Sequence, residues 1–195
     1  MTVLIGIDIG QRRDPTALCV AETVSRPGPS RQETHYVVRY LDRLPLGTPY
    51  PEVARRLQKV SAEVARRAGE RPTVYVDATG VGIPVVDILR AATIEAWIVP
   101  VFFTHGDRRK TEGGEVRLGK AFLVSRLQAL LQTRRIHLPR TREADALAAE
   151  LLDYEIRVSE DANDRYGAFR VGTHDDLVTA LGLAVQGEPI QSRVY

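Results

Sequence analysis

The chain has 195 residues, 44% of them hydrophobic, a net charge near +2 and a pI of about 8.8. That is enough apolar material for a packed α/β domain, and it excludes a disordered or low-complexity chain. Cys19 is the single cysteine, so neither an internal disulfide nor a cysteine-based zinc site can form. All but three of the 27 basic residues are arginine, which fits a G+C-rich or thermophilic source. The small net charge permits a nucleic-acid partner without arguing for one. The N-terminus has no basic leader and Asp8 interrupts its apolar run, which is unlike a signal peptide. The longest apolar stretch, Ile94 to Phe103, carries Glu95 and Pro100 and is too short to span a bilayer. The expectation is a soluble, intracellular (cytoplasmic) protein with no membrane partner.

In chain order, Val3 to Ile9 predicts a buried strand, followed by a turn closed by Pro15. Thr16 to Val24 and His35 to Asp42 predict two more strands, joined by a short Pro/Gly/Ser link, hence an antiparallel meander. Pro51 to Ala68 predicts an amphipathic helix, with Val53, Leu57, Val60 and Val64 at helical spacing. Thr73 to Asp77 predicts a strand ending in a glycine turn, Pro84 to Ala92 a helix, and Glu95 to Phe103 a fifth strand. Thr104 to Glu115 reads as a polar loop, and Val116 to Gln132 as a helix. Ile136 to Leu138 is a brief extended piece and Arg142 to Tyr154 a helix. Glu155 to Val158 and Tyr166 to Val171 fit a hairpin, and His174 to Val185 is the final helix. The fold class is α/β, a single domain with a mixed sheet and helices on both faces. In this order the first strand can lie beside the fourth. Asp8 and Asp77 then neighbour each other, and the final helix lays Asp175 or Asp176 over both.

Asp8 and Asp77 each end an apolar run, where a buried strand opens into a cleft. A mid-strand Asp is disfavoured and needs a partner when buried. Asp77 precedes a glycine turn, so an Asx turn is its structural alternative. Asp14 before Pro15 is a common turn pair as well as an extra acid. Asp175 and Asp176 open a helix, where acids also favour the dipole and the cap. Carboxylates gathered from distant segments repel one another without cations. Two Mg²⁺ or Mn²⁺ ions held about 3.5–4 Å apart can activate a water and stabilise a departing 3′ oxygen. The acids therefore point to metal-dependent phosphodiester hydrolysis. Asp8, Asp77 and Asp176 are read as direct ligands, with Asp175 a second helix ligand or cap and Asp14 a nearby acid.

Three further features bear on the substrate. Arg108, Arg109 and Lys110 form a basic loop that either guides DNA phosphates or is simply solvated. Lys120 is read as a phosphate contact at the edge of a DNA groove. The segment from Gly114 to Ala121 is close to a Walker A loop, but it lacks the Ser/Thr that holds Mg²⁺, which argues against ATP binding there. His105 and His174 are read as structural, since a metal-bound water needs no histidine base.

The ordered set GIDIGQRRDPTAL, VDATGVGIPVVDIL and HDDLVTALGLAV resembles the nuclease domain of phage large terminase subunits. VPVFFTHGDRR and GKAFLVSRLQALLQTRRIHLP are similar to that family's intervening strand, loop and helix, so the resemblance spans nearly the whole chain. It implies an RNase H-like fold and an endonuclease that cuts double-stranded DNA with low sequence specificity during genome packaging. It further implies Asp8 as first-strand ligand, Asp77 as fourth-strand ligand, Asp176 with Asp175 as the C-terminal-helix ligand, and Asp14 as an additional acid near the metals. A packaging ATPase, a small terminase subunit and a portal are the implied partners. The ATPase that precedes the nuclease in such subunits is not expected in this chain, which leaves open an excised domain or a stand-alone homologue. A Holliday-junction resolvase or other RNase H-like nuclease keeps the fold and changes the substrate. A non-catalytic DNA-packaging module keeps the fold without the chemistry. GIDIG also resembles the first phosphate loop of actin- and hexokinase-like ATPases, which need two such lobes.

Overall fold

The meander forms as the short link predicts. In a computed structural model, which describes residues 2–10, 14–80, 82–158, 164–167 and 174–187, β1 (Val3–Asp8), β2 (Ala17–Pro27) and β3 (Gln32–Arg43) pair antiparallel in sequence order. Helix α1 (Tyr50–Ala68) follows, with Pro51 in its first turn, and returns the chain to β4 (Thr73–Asp77), parallel to β1. Helix α2 (Gly82–Ala91) leads to β5 (Trp97–Thr104), parallel to β4.

The sheet then continues where a loop and a helix start were expected. Arg109–Glu112 is β6 and Glu115–Gly119 is β7, an antiparallel hairpin whose second strand lies parallel to β5. The turn is Gly113–Gly114, with φ of +58° and +82°, and a two-residue hairpin with positive φ at both positions favours glycine. Val116 and Leu118 are buried and Arg117 is exposed, a period of two that fixes this stretch as strand. Helix α3 therefore begins only at Lys120 (Lys120–Gln132). The Walker A-like segment is accordingly a sheet strand running into a helix, not a phosphate loop. Beyond it come β8 (Ile136–His137), parallel to β3, and α4 (Arg142–Asp153), capped by the Thr141 side chain. β9 (Glu155–Val158) and β10 (Asp164–Gly167) form a separate antiparallel pair, and α5 (Asp176–Val185) closes the fold. The predicted second hairpin strand extends to residue 171, outside the described residues.

The main sheet has eight strands in the order β6-β7-β5-β4-β1-β2-β3-β8. One face carries α1 and α2 over Val3, Ile5, Ile7, Leu18, Val20, Val74 and Val76. The other carries α3, α4 and α5 over Leu4, Ala17, Cys19, Ala21 and Tyr36. Leu4, Gly6 and Asp8 share the α5 face of β1 by strand alternation, as Tyr75 and Asp77 do on β4. Small residues on that face let α5 approach closely. A Cβ on Gly6 would stand 2.0 Å from the Ala180 carbonyl oxygen and 2.6 Å from the Ala184 nitrogen. α5 is thus pressed onto β1, and its N-terminus is delivered to the end of that strand. No helix among the described residues is long and apolar enough to cross a membrane.

Candidate metal centre

β1 and β4 run parallel with Ile7 paired to Val76. One step further, Asp8 and Asp77 leave the sheet side by side on the face that α5 covers. Asp77 also makes the Asx turn its sequence suggested: Thr79 N donates to Asp77 Oδ1 at 2.8 Å, and Thr79 Oγ1 accepts from Phe103 N at 2.8 Å. These bonds fix the carboxylate against β5. Asp8, Asp77 and Asp175 line one polar pocket of about 120 Å³, with Lys120, Tyr154 and Thr179 among the other walls. Residues from three separate segments of the chain thus reach one space.

The electrostatics record the crowding. Burial, followed by the charges of Asp77, Asp175, Asp176 and Asp14, pushes the Asp8 carboxyl well above the usual carboxylate range. Burial also raises Asp77, while Thr79 and the Lys120 ammonium draw it back. Like charges and desolvation together disfavour ionisation, and a bound cation reverses both effects. Among the described residues no three Asp, Glu, His or Cys side chains form a ready-made metal cage. The donor set is nonetheless of the kind that Mg²⁺ and Mn²⁺ take: hard carboxylate oxygens around a polar space, with waters to complete the shell.

The two helix acids take different places. Asp176, read from sequence as the primary ligand, is 1% exposed, and its Oδ2 accepts from Arg43 Nε at 2.7 Å. Asp175 lines the pocket instead. Arg43 also pairs with Glu150 of α4, whose Oε2 accepts from Leu177 N at 3.0 Å and Val178 N at 3.2 Å. Burial raises the Asp176 carboxyl, offset in part by Arg43. Asp14 is exposed, and its Oδ1 lies 4.0 Å from His174 Nδ1. His174 Nδ1 is also 4.0 Å from Asp176 Oδ1, so His174 stands between two acids at ion-pair range but beyond hydrogen-bond length.

The basic residues divide as well. Lys120 is exposed at the pocket wall, its Nζ 5.6 Å from the centre of the Phe103 ring. Arg108 and Lys110 are exposed at and beside β6, on a sheet hairpin rather than the flexible loop expected. Arg109 is tied down, donating to Gln186 Oε1 at 3.0 Å and Thr111 Oγ1 at 3.1 Å. Sequence reasoning passed over Arg43 and Glu150. A signal existed for the second: Glu150 extends the buried i, i+3 stripe of Ala144 and Leu147, where a charge is out of place.

A mixed sheet whose central parallel pair ends in two acids, with a third acid set over them by the last helix, defines an RNase H-like fold. The chain belongs to the terminase RNase H-like domain family, whose sequence profile matches residues 5–188. It is similar in fold to the large terminase nuclease of thermophilic phage G20c solved with bound magnesium, at 22% identity over 94% of this chain and 80% of that one, with a TM-score of 0.66. It is also similar to the large terminase nuclease domain of bacteriophage SPP1 with bound Mn, at 13% identity over 94% and 85% of the two chains (TM-score 0.58). The human cytomegalovirus terminase nuclease domain matches at 12% identity over 94% and 81% (TM-score 0.59). No curated protein matches the sequence.

Proposed function

We propose that this chain is a divalent-metal-dependent endonuclease that cuts double-stranded DNA with little sequence specificity, in the setting of genome packaging. The observation that carries the reading is the convergence of Asp8, Asp77 and Asp175 on one small polar pocket beside Lys120. Metal-bound relatives in the same fold support it. Asp8, Asp77 and Asp175 are the ligands in this reading, with Asp176 and Asp14 behind them. Mg²⁺ or Mn²⁺, as two ions, supplies water activation and neutralises the leaving oxygen when bound. In the reaction a water oxygen bonds to phosphorus as the P–O3′ bond breaks. The water gives up one proton and the 3′ oxygen gains one.

The chain's own residues do the rest. Thr79 holds the Asp77 carboxylate in its orientation, and α5 shields the Asp8 side of the pocket from bulk water. Lys120 sits where it can contact a non-bridging phosphate oxygen, and Arg108 and Lys110 offer backbone contacts further along a duplex. Contacts of that kind read charge and not base sequence. The packaging ATPase, small terminase subunit and portal are the partners this reading assigns.

The test is plasmid digestion by the purified chain with Mg²⁺, Mn²⁺ or EDTA. Wild type is expected to nick and linearise the plasmid in either metal and to stop in EDTA. Asp77→Asn is expected to be inactive in all three. Equal cleavage by wild type and Asp77→Asn would overturn the assignment.

A further inference from the structure

On one side, the β7–β6 end of the sheet lies beyond the helix-covered core. The core under α1 and α2 extends along β5 only to Ile98 and takes in no residue of β7 or β6. Strand alternation turns Phe102, Arg117 and Lys110 to that side, because Val101, Phe103, Val116 and Leu118 belong to the opposite core. The three form one row across neighbouring strands: Phe102 is in register with Arg117, and Arg117 with Lys110. Phe102 is half-buried and both cations are exposed.

Like charges directly opposite one another destabilise a sheet. The hairpin holds two such pairs, Lys110 opposite Arg117 and, on the next rung of the same side, Glu112 opposite Glu115. Exchanging one residue of each pair would match the charges, yet they stay segregated. Among the described residues, no ion pair or side-chain hydrogen bond engages Lys110 or Arg117. The unmatched basic pair therefore suits an anionic partner. It is also the pair nearer the C-terminal ends of the parallel strands, where the acids emerge. Asp77 is in register with Val101, next to Phe102, and Phe103 lines the acid pocket. At the end of β7, Lys120 lies on the pocket side and Arg117 on the other.

We propose that Phe102, Arg117 and Lys110 hold an unpaired strand of the DNA beside the cut. A base stacks on the Phe102 ring, and the phosphates flanking it contact Arg117 and Lys110. Lys120 and Arg117 carry the backbone from the acid pocket round the strand ends to this row. A duplex cannot use the ring in this way, because its bases are already stacked and paired. The inference rests on the reading of the acid pocket as a DNA-cutting site, and it adds Phe102 and Arg117 to the DNA surface.

The test is fluorescence anisotropy on the whole chain with a labelled oligodeoxythymidylate and with a labelled blunt duplex, both in EDTA, so that binding is read without metal. Wild type is expected to bind the single strand. Phe102→Leu keeps an apolar side chain but removes the stacking face; it is expected to weaken single-strand binding about tenfold and to leave duplex binding within about twofold. Phe102→Trp is expected to bind the single strand at least as tightly as wild type. Arg117→Ala and Lys110→Ala are each expected to weaken single-strand binding and to lower the slope of log Kd against log salt concentration by about 0.7. Undiminished single-strand binding by Phe102→Leu would overturn the proposal. So would equal losses for strand and duplex, which would make the row a duplex contact, or failure of wild type to bind the single strand. If Phe102→Leu does not fold, an unchanged affinity and salt slope in Arg117→Ala, whose side chain is exposed, would overturn it. Plasmid left uncut by wild type in Mg²⁺ or Mn²⁺ would instead overturn the acid-pocket reading, and the anisotropy in EDTA would still decide the strand site.

Discussion

The two ends of the central strand pair differ in a way that volume misrepresents. At the N-terminal end of β1 lies a groove of about 540 Å³ between α1 and the meander, floored by Val3, Val20, Val60, Val64 and Ala68. At the other end is the acid pocket of about 120 Å³. Size and apolar lining alone favour the groove as a ligand site. Its charges argue otherwise, because its arginines are matched: Arg39 with Glu22 at 2.6 Å, Arg56 with Asp42 at 2.7 Å, Arg67 with Glu63 at 2.5 Å. At the acid end, carboxyl groups are pressed together, and burial followed by four other acids pushes the Asp8 carboxyl well above the usual carboxylate range. Unresolved charge, not volume, marks the place where a cation and a phosphate are wanted.

The largest effect belongs to Asp8. Asp8→Asn is expected to lower Mg²⁺-dependent plasmid cleavage by on the order of 10³-fold or more. It should also stabilise the metal-free protein. Burial and neighbouring acids raise the folded-state pKa of Asp8, so the folded chain binds more protons than the unfolded one above the ordinary carboxylate value of about 3.9. Stability then falls as pH rises through that window. Asparagine has no such titration. In EDTA, the Tm of Asp8→Asn should exceed that of wild type by a margin that widens as pH rises from about 4 towards the folded-state pKa. A constant margin would mean that Asp8 is not crowded.

Next is the packing that brings the acids together. Gly6→Ala places a methyl group against the α5 backbone, and overpacking of this kind costs about 2 kcal/mol. The Tm should drop by several degrees and Mn²⁺ affinity should fall with it, because α5 carries Asp175 away from β1. Affinity preserved alongside a lower Tm would detach the site from the helix docking.

The adjacent helix acids should separate by readout. Asp175→Ala is expected to lose cleavage while leaving the Arg43 pairing beneath the helix in place. Asp176→Ala is expected to lower Tm first, because it strips a partner from Arg43 beneath the helix; Arg43 keeps partial solvent contact, so the cost is about 2 kcal/mol and not the full price of a buried pair. If Asp176→Ala is as stable as wild type yet inactive, Asp176 is a direct ligand and the roles read from the structure exchange back.

That last pair also shows what the sequence could and could not reveal. Asp8 and Asp77 were legible because each interrupts an apolar strand at its end, and the strand order placed them together. The last helix was legible from its apolar run. Which of two consecutive acids faces the pocket was not. Neighbours on a helix point about 100° apart, and the choice is made by Arg43, 133 residues earlier in the chain. The β6–β7 hairpin was hidden for a local reason. Val116 and Leu118 fit a helix as well as a strand when read with the apolar residues after them, and only pairing with β5 decides. Glu150 was visible as a charge in an apolar stripe, but its partners, two amides and a guanidinium, come from other elements.

The smallest effect is expected at the groove. Arg39→Ala removes a pair in which the arginine is 58% exposed, and such surface pairs contribute about 0–1 kcal/mol. Cleavage rate and Mn²⁺ dependence should stay within about twofold of wild type, with Tm shifted by a degree or two at most. The measurement is worth making because it sharpens the contrast between the two ends. The groove residues belong to the same sheet as Asp8 and lie one strand-length away, so an effect on cleavage could arise only by a shift of β1 or by a ligand bound there. Unchanged activity in Arg39→Ala, beside inactive Asp8→Asn, would place the chemistry at one end of β1. A tenfold loss would mean that the paired charges of the groove hold something the acid pocket depends on.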